Sequence, residues 1–376
     1  MDESILARLQ MRQDAGLWRQ RVIVDSPEGR VVRIGNHNYL QFASNDYLGL
    51  ANHPAVKKAL IDGVETYGVG AGGSHLVGGH KTAHAKLEQR LAAFVGKPKA
   101  LLFSSGYSAN LAILRTLAEG GVVFADRLNH ASLNDAALLA RAKCYRYRHV
   151  DLDHLEKFLK KTTGKKKVIA TDAVFSMDGD LAPIPGLLDL ARRYECWLCI
   201  DDAHGFGVLG DGRGSLAHFK VDDTRIIYMG TLGKAAGGMG AFIAAEAYIA
   251  ELLLQTANTY IYTTAMPPAM AQALLQSLTL IEKGDDLRQK ILAHKKCFAA
   301  AFGLDETPSA IAPLLIGDTL KTLKLAENLF QANVFAPPIR PPTVPQNTSR
   351  IRFSFSAAHT SEDIHQLCAL LQHLLF

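Results

Sequence analysis

Trp197-Leu198-Cys199-Ile200-Asp201-Asp202-Ala203-His204-Gly205 is the stretch on which the fold turns. A short apolar run ends in an acid, small residues and a histidine, the pattern of a strand buried on both faces that opens into a polar turn. Similar runs recur at Ala100–Phe103, Val122–Asp126, Val168–Thr171 and Ile226–Met229. Helical periodicity lies between them at Lys81–Phe94, Asn110–Ala118 and Ile184–Tyr194. This alternation predicts an α/β fold with a mostly parallel sheet covered by helices. Ligands of such sheets bind beyond the carboxyl ends of the strands, where Asp201 and His204 lie.

Outward from this rhythm, an N-terminal arm combines a helix expected over Ile5–Arg21, a turn at Pro27-Glu28-Gly29 and a short strand at Val31–Ile34. A helix over Pro54–Thr66 leads into Gly68–His75, too rich in glycine for the interior of either element. After Met266-Pro267-Pro268 a long helical stretch is expected to Phe302, and a last helix over Glu362–Leu375. The expected division is an arm at 1–45, a large domain at 46–275 and a smaller α/β C-terminal domain at 276–376.

The 376 residues, 48% hydrophobic and 20% charged with net charge +5, suit an ordinary soluble enzyme and supply no strong nucleic-acid surface. Five cysteines cannot all pair within one chain, so a reducing cytoplasm is the expected compartment. Cys196 and Cys199 form a C-x-x-C inside an apolar strand, which favours core packing, and no metal site is expected. No apolar export segment or bilayer-length run is evident.

Lys234 lies in Gly230-Thr231-Leu232-Gly233-Lys234-Ala235-Ala236-Gly237-Gly238-Met239-Gly240. A lysine among small residues, downstream of a strand-end acid, suits pyridoxal 5'-phosphate (PLP). The amine can condense with the cofactor's aldehyde, and the acid can keep the pyridine nitrogen protonated. Other polar groups gather at strand ends. Gly106 and Tyr107, in Ser104–Asn110, can meet a phosphate at a helix N-terminus. His130 can stack on a planar ring or contact substrate. Ser176 offers a hydroxyl, Asp178-Gly179-Asp180 reads as a turn, Thr231 can bond the phosphate, and Asp202 reads as a helix cap or surface acid.

Ser44-Asn45-Asp46-Tyr47-Leu48-Gly49-Leu50, Gly72-Gly73-Ser74, Phe175–Asp180, Asp201–Gly205, Gly233-Lys234 and Pro341-Pro342-Thr343-Val344-Pro345 together resemble the α-oxoamine synthase family, over nearly the whole chain. The resemblance implies PLP-dependent fold type I, like aspartate aminotransferase, in a homodimer with shared active sites. It also implies decarboxylative joining of an amino acid to an acyl thioester. The motifs imply L-alanine and a pimeloyl thioester, on CoA or on an acyl carrier protein, with glycine and acetyl-CoA as the alternative pair. By the same resemblance Lys234 is the cofactor lysine and Cα base, Asp201 the pyridine partner, and His204 and Ser176 contacts to the phenolic oxygen. His130 is implied as the stacking ring, catalytic and substrate-contacting. Gly106, Tyr107 and Thr231 would surround the phosphate, with Thr264 or Thr263 reaching it from the partner subunit. Arg19 and Thr343 are implied as substrate contacts, and Arg352, with Arg350 as its rival, would hold the amino acid carboxylate. Two positions depart from several relatives: His75 where they have glycine or arginine, and Phe206 where threonine is common. Both are expected to bear on substrate fit.

Overall fold

The computed structural model describes residues 3–164 and 166–375. Its centre is a seven-stranded sheet. In spatial order the strands are Lys99–Phe103, Ala241–Ala245, Ile226–Thr231, Trp197–Asp201, Lys167–Asp172, Val122–Asp126 and Lys143–Tyr147. The five from Ile226–Thr231 onward run parallel, whereas Ala241–Ala245 is antiparallel to both neighbours. Parallel pairing aligns the strand ends: Asp172 lies opposite Asp201, and Asp201 opposite Met229. Apolar side chains on each face enter separate buried clusters, one including Ile169, Leu198 and Ile200, the other Val168, Cys199 and Ile227. That two-sided burial accounts for continuous apolar runs instead of alternation. Cys196 and Cys199 are buried here, and burial raises both thiols, which makes them unreactive core residues.

The arm and the C-terminal segment are built together. Val31–Ile34 pairs with His37–Gln41, and Leu40 lies opposite Val334 in a parallel ladder. Ser354 N–H donates to Phe42 C=O, which continues this seam toward the C-terminal sheet of Ile311–Gly317, Ser349–Ser354 and Pro338–Ile339. Residues 42–47 are thereby held between the two sheets, and this places Asn45 and Tyr47 at the site.

Several expectations are corrected. The first helix covers Glu3–Asp14 and stops short of Arg21. Gly16 has φ of +65° and Leu17 N–H returns to Arg12 C=O, a left-handed helix end. The expected single helix to Phe302 is two, Pro268–Glu282 and Asp285–Phe302, broken at Lys283-Gly284 and restarted with acids in the first turn. Asp202 is no surface acid. It is fully buried, accepting from Ser215 N–H at 2.6 Å and Tyr228 hydroxyl at 2.9 Å, and burial raises it to about 7. Phe206 is also fully buried, edge-on to Phe242 at 5.1 Å and Phe94 at 6.1 Å, and its role is packing. Among the described residues no helix is long and apolar enough to cross a membrane.

Candidate active site

At the carboxyl edge of the parallel strands lies a cavity of about 190 Å³, lined by Lys234, Asp201, His204, His130, Ser176 and Thr231 and closed by Gly106 and Tyr107. The groups arrive from the ends of several neighbouring strands. Asp201 terminates Trp197–Asp201, and its Oδ1 accepts from Ala203 N–H at 3.0 Å in the turn that returns His204. Lys234 follows Ile226–Thr231 in a loop folded so closely that a Cβ on Gly237 would sit 2.4 Å from Ala51 N.

Lys234 begins a buried chain of hydrogen bonds. Its Nζ is 2.7 Å from His204 Nε2, and His204 Nδ1 is 2.6 Å from the Tyr47 hydroxyl. Tyr47 donates to Asn45 Oδ1 at 3.1 Å, and Arg352 Nη2 donates to Asn45 at 2.9 Å and to Tyr47 at 3.2 Å. With the tyrosine proton spent on Asn45, His204 donates from Nδ1 and leaves Nε2 as the acceptor for Lys234. Burial, then the charges of Lys234 and Arg352, drives His204 well below its usual range, so the ring is neutral. Burial also lowers Lys234 to about 8 against the pull of Asp201, with Arg352 assisting. A buried amine poised near neutrality is a nucleophile and a proton acceptor in one group.

A second network holds the acid. Asp201 Oδ2 accepts from Asn110 Nδ2 at 2.7 Å, Asn110 donates to Ser132 Oγ at 2.9 Å, and Ser132 Oγ is 2.8 Å from His130 Nδ1. Beside it Asp172 accepts the His130 N–H at 3.0 Å with Oδ2, while its Oδ1 is buried without a partner. Burial and the Asp201 charge raise Asp172 well above the carboxylate range.

The helix Gly106–Leu117 closes the far end. Ser105 Oγ caps the Ser108 N–H, which leaves the first-turn N–H groups of Gly106 and Tyr107 without helical acceptors. Thr231 Oγ1 lies nearby, bonded to Gly240 C=O at 3.1 Å. An acid edge for a protonated ring nitrogen, an activated amine for an aldehyde and free N–H groups for a phosphate form one donor set, and PLP fits it.

Beyond His130 and Ser176, which line both, a wider cavity of about 760 Å³ is bordered by Arg19, Arg127, Arg146 and Arg350 and by Thr343. Arg19 donates to Thr343 Oγ1 at 3.4 Å. Arg350 is ion-paired with Asp178, whereas Arg352 reaches the Lys234 chain and keeps its buried Nε unpartnered. Thr263 and Thr264 are not brought to the first cavity; they line a separate small crevice with His75 and Ser104, where Ser74 bridges Thr264. Asn45, Tyr47 and Asn110 were missed as functional residues, although Asn45 and Tyr47 stand inside one of the motifs of the resemblance.

A family described as aminotransferase class I and II matches residues 37–371. An 8-amino-7-oxononanoate synthase from Nitrosospira multiformis is 50% identical over 380 residues, spanning 99% of this chain and 96% of the relative. A solved 8-amino-7-oxononanoate synthase from Francisella tularensis is 31% identical with TM-score 0.77, covering 89% of this chain and 97% of that one. An SPT structure carrying PLP is 26% identical with TM-score 0.92, covering 99% and 96%.

Proposed function

The chain belongs to the class I and II aminotransferase family, and on that premise we propose that it is an α-oxoamine synthase that condenses L-alanine with a pimeloyl thioester. It is a PLP-dependent acyltransferase of fold type I, and the product is 8-amino-7-oxononanoate, formed with release of CO2 and free thiol in biotin biosynthesis. The observation that carries the reading is Lys234 Nζ, 2.7 Å from a neutral His204 in the cavity that also presents Asp201.

When bound, PLP supplies an electron sink for the pair left as a bond to the amino acid Cα breaks. Lys234 would hold the cofactor through its aldehyde, and its Nζ, when free, would be the base that takes the Cα proton. His204 Nε2 keeps that nitrogen oriented, and its Nδ1–H is fixed by Tyr47 so that the ring cannot turn. Asp201 retains a proton on the ring nitrogen, held in place by Asn110 and Ala203 N–H. His130 would stack on the ring, contact substrate and act in catalysis, while Ser176 would bond the phenolic oxygen, joined by His204 when its Nε2 is not engaged by Lys234. Gly106, Tyr107 and Thr231 hold the phosphate. Arg352 pairs with the alanine carboxylate through its free Nε edge, a role for which Arg350 is already committed to Asp178. The acyl chain occupies the wide cavity, with Arg19 and Thr343 as contacts.

The active unit in this reading is a cytoplasmic homodimer in which Thr264 of one subunit completes the phosphate site of the other. The exposed apolar side chains Val69 and Val77, in and beside the glycine-rich loop, and Tyr262, next to Thr263, support it. The division near 275 is supported by the sheets: the seven-stranded one lies wholly within 46–275 and that of Ile311–Gly317, Ser349–Ser354 and Pro338–Ile339 within 276–376, while a third joins His37–Gln41 of the arm to Val334–Phe335. The thioester carrier is CoA or an acyl carrier protein. The test is CO2 release and product mass with alanine, glycine and serine, each paired with pimeloyl-CoA and acetyl-CoA. Turnover of alanine with pimeloyl-CoA supports the assignment; turnover confined to glycine or serine overturns it.

A further inference from the structure

His75, His80, His84 and Glu88 gather outside the catalytic cavity, beside the crevice of Thr264. The loop that brings them together is shaped by glycine. A Cβ on Gly79 would meet Gly73 C=O at 2.1 Å, one on Gly73 would meet Val77 C=O at 2.5 Å, and Gly78 has φ of +79°. His75–Gly79 therefore closes in a single wide π turn, and the helix Thr82–Val95 begins at once, carrying His84 and Glu88 on one side.

The four groups are not equivalent. His84 is fully committed, with Nδ1 accepting Lys81 N–H at 2.9 Å and Nε2 2.8 Å from Met266 C=O. Glu88 is anchored through Oε1, which accepts Leu102 N–H at 2.9 Å, and its Oε2 faces His80 Nε2 at 3.9 Å. His75 stacks on Tyr260 at 4.9 Å and 10° and approaches His80, with the Nδ1 atoms 2.8 Å apart. One ligand atom from each of His75, His80 and Glu88 lies within 4.8 Å of the others.

We propose that His75, His80 and Glu88 bind a divalent transition cation such as Zn²⁺ or Co²⁺, through two imidazole nitrogens and one carboxylate oxygen, with water completing the shell. Two nitrogens and one oxygen with an open position suit such ions, whose donor atoms stand about 2.0–2.2 Å from the metal. Coordination needs only side-chain rotation: the two imidazole nitrogens, 2.8 Å apart, part slightly while the Glu88 carboxylate closes on them. Leu102 N–H, holding the other Glu88 oxygen, and Tyr260, supporting the His75 ring, orient the ligands from behind.

An ion there ties the glycine-rich loop to the helix Thr82–Val95. Through the His84 bond to Met266 and the Ser74–Thr264 bridge it also braces Thr263–Met266. This assignment stands independently of which acyl chain the enzyme takes. The test uses chelator-treated, PLP-loaded full-length protein dialysed against Co²⁺ or Zn²⁺, with bound metal measured by mass spectrometry. One ion per chain is expected, with affinity weakened at least ~10-fold in His80→Asn and in Glu88→Gln. PLP absorbance and circular dichroism report whether these variants fold. Wild-type protein that takes up no ion overturns the proposal, as does uptake unchanged in both variants. X-ray absorption of the Zn²⁺-loaded wild type decides independently of any variant: two imidazoles in the shell support the site, and a sulfur or all-oxygen shell sinks it.

Discussion

The two adjoining cavities differ in how their charges are held. In the small one the central ionisable groups are fastened by hydrogen bonds inside the protein: Lys234 to His204, His204 to Tyr47, and Asp201 to Asn110. In the wide one arginines from distant parts of the chain border open space, and the Arg19 contact to Thr343 is long at 3.4 Å. Preorganised, dehydrated groups stabilise charge as it develops, whereas loosely held surface groups contribute mainly to binding. The difference assigns reaction type to the small cavity and substrate selection to the wide one.

Changes in the small cavity should therefore strike turnover, and the heaviest is Lys234→Ala. Loss of the Cα base and of the covalent anchor should lower kcat by ~10⁴-fold or more, measured by CO2 release together with loss of the lysine-bound cofactor band. Asp201→Asn comes next. A neutral amide cannot keep the ring nitrogen protonated, so kcat should fall roughly 10²–10³-fold while cofactor absorbance persists. If that variant changed only KM, the separation of roles would collapse.

The wide cavity should respond in the opposite sense. Arg19→Gln is expected to raise KM for the pimeloyl thioester about tenfold, the scale of one hydrogen bond to a charged group, with kcat nearly constant. A tenfold fall in kcat at unchanged KM would place Arg19 in the chemistry instead. A finer probe is pH. Because burial lowers Lys234 from 10.5 to about 8, the neutral amine prevails above that pH and the ammonium below it. The rate at which cofactor-free protein captures PLP should rise with pH through a midpoint near 8; a midpoint near 10 would mean that Lys234 is solvated.

The same contrast separates what the sequence reveals from what it conceals. Asp201, His204, Ser176 and Thr231 were legible because each ends or follows an apolar strand, and a parallel sheet brings such ends to one edge. Asn45, Tyr47 and Arg352 belong to the seam between the arm and the C-terminal sheet, and no local periodicity signals that they join one another and reach His204 through Tyr47. The Lys283-Gly284 break was hidden because a glycine inside a helical pattern is usually tolerated. Ala241–Ala245 passed unnoticed because an apolar run carries no mark of direction, so its antiparallel insertion is a property of the assembled sheet alone. Asp202 looked like a surface acid for want of its partners: Tyr228 is on the next strand, and Ser215 lies beyond the intervening loop.

The central claim is that Lys234 is the lysine that carries the cofactor, and it has a natural competitor within the chain. Lys295 is also buried and lowered by burial to about 8, but it is bonded to Thr307 and Ser309, away from the cavity. Borohydride reduction of the PLP-loaded protein, followed by peptide mass spectrometry, fixes the cofactor to whichever amine holds it. The pyridoxyl mass should appear on the peptide containing Lys234 and there alone; its appearance on Lys295, or on no lysine, would contradict the account.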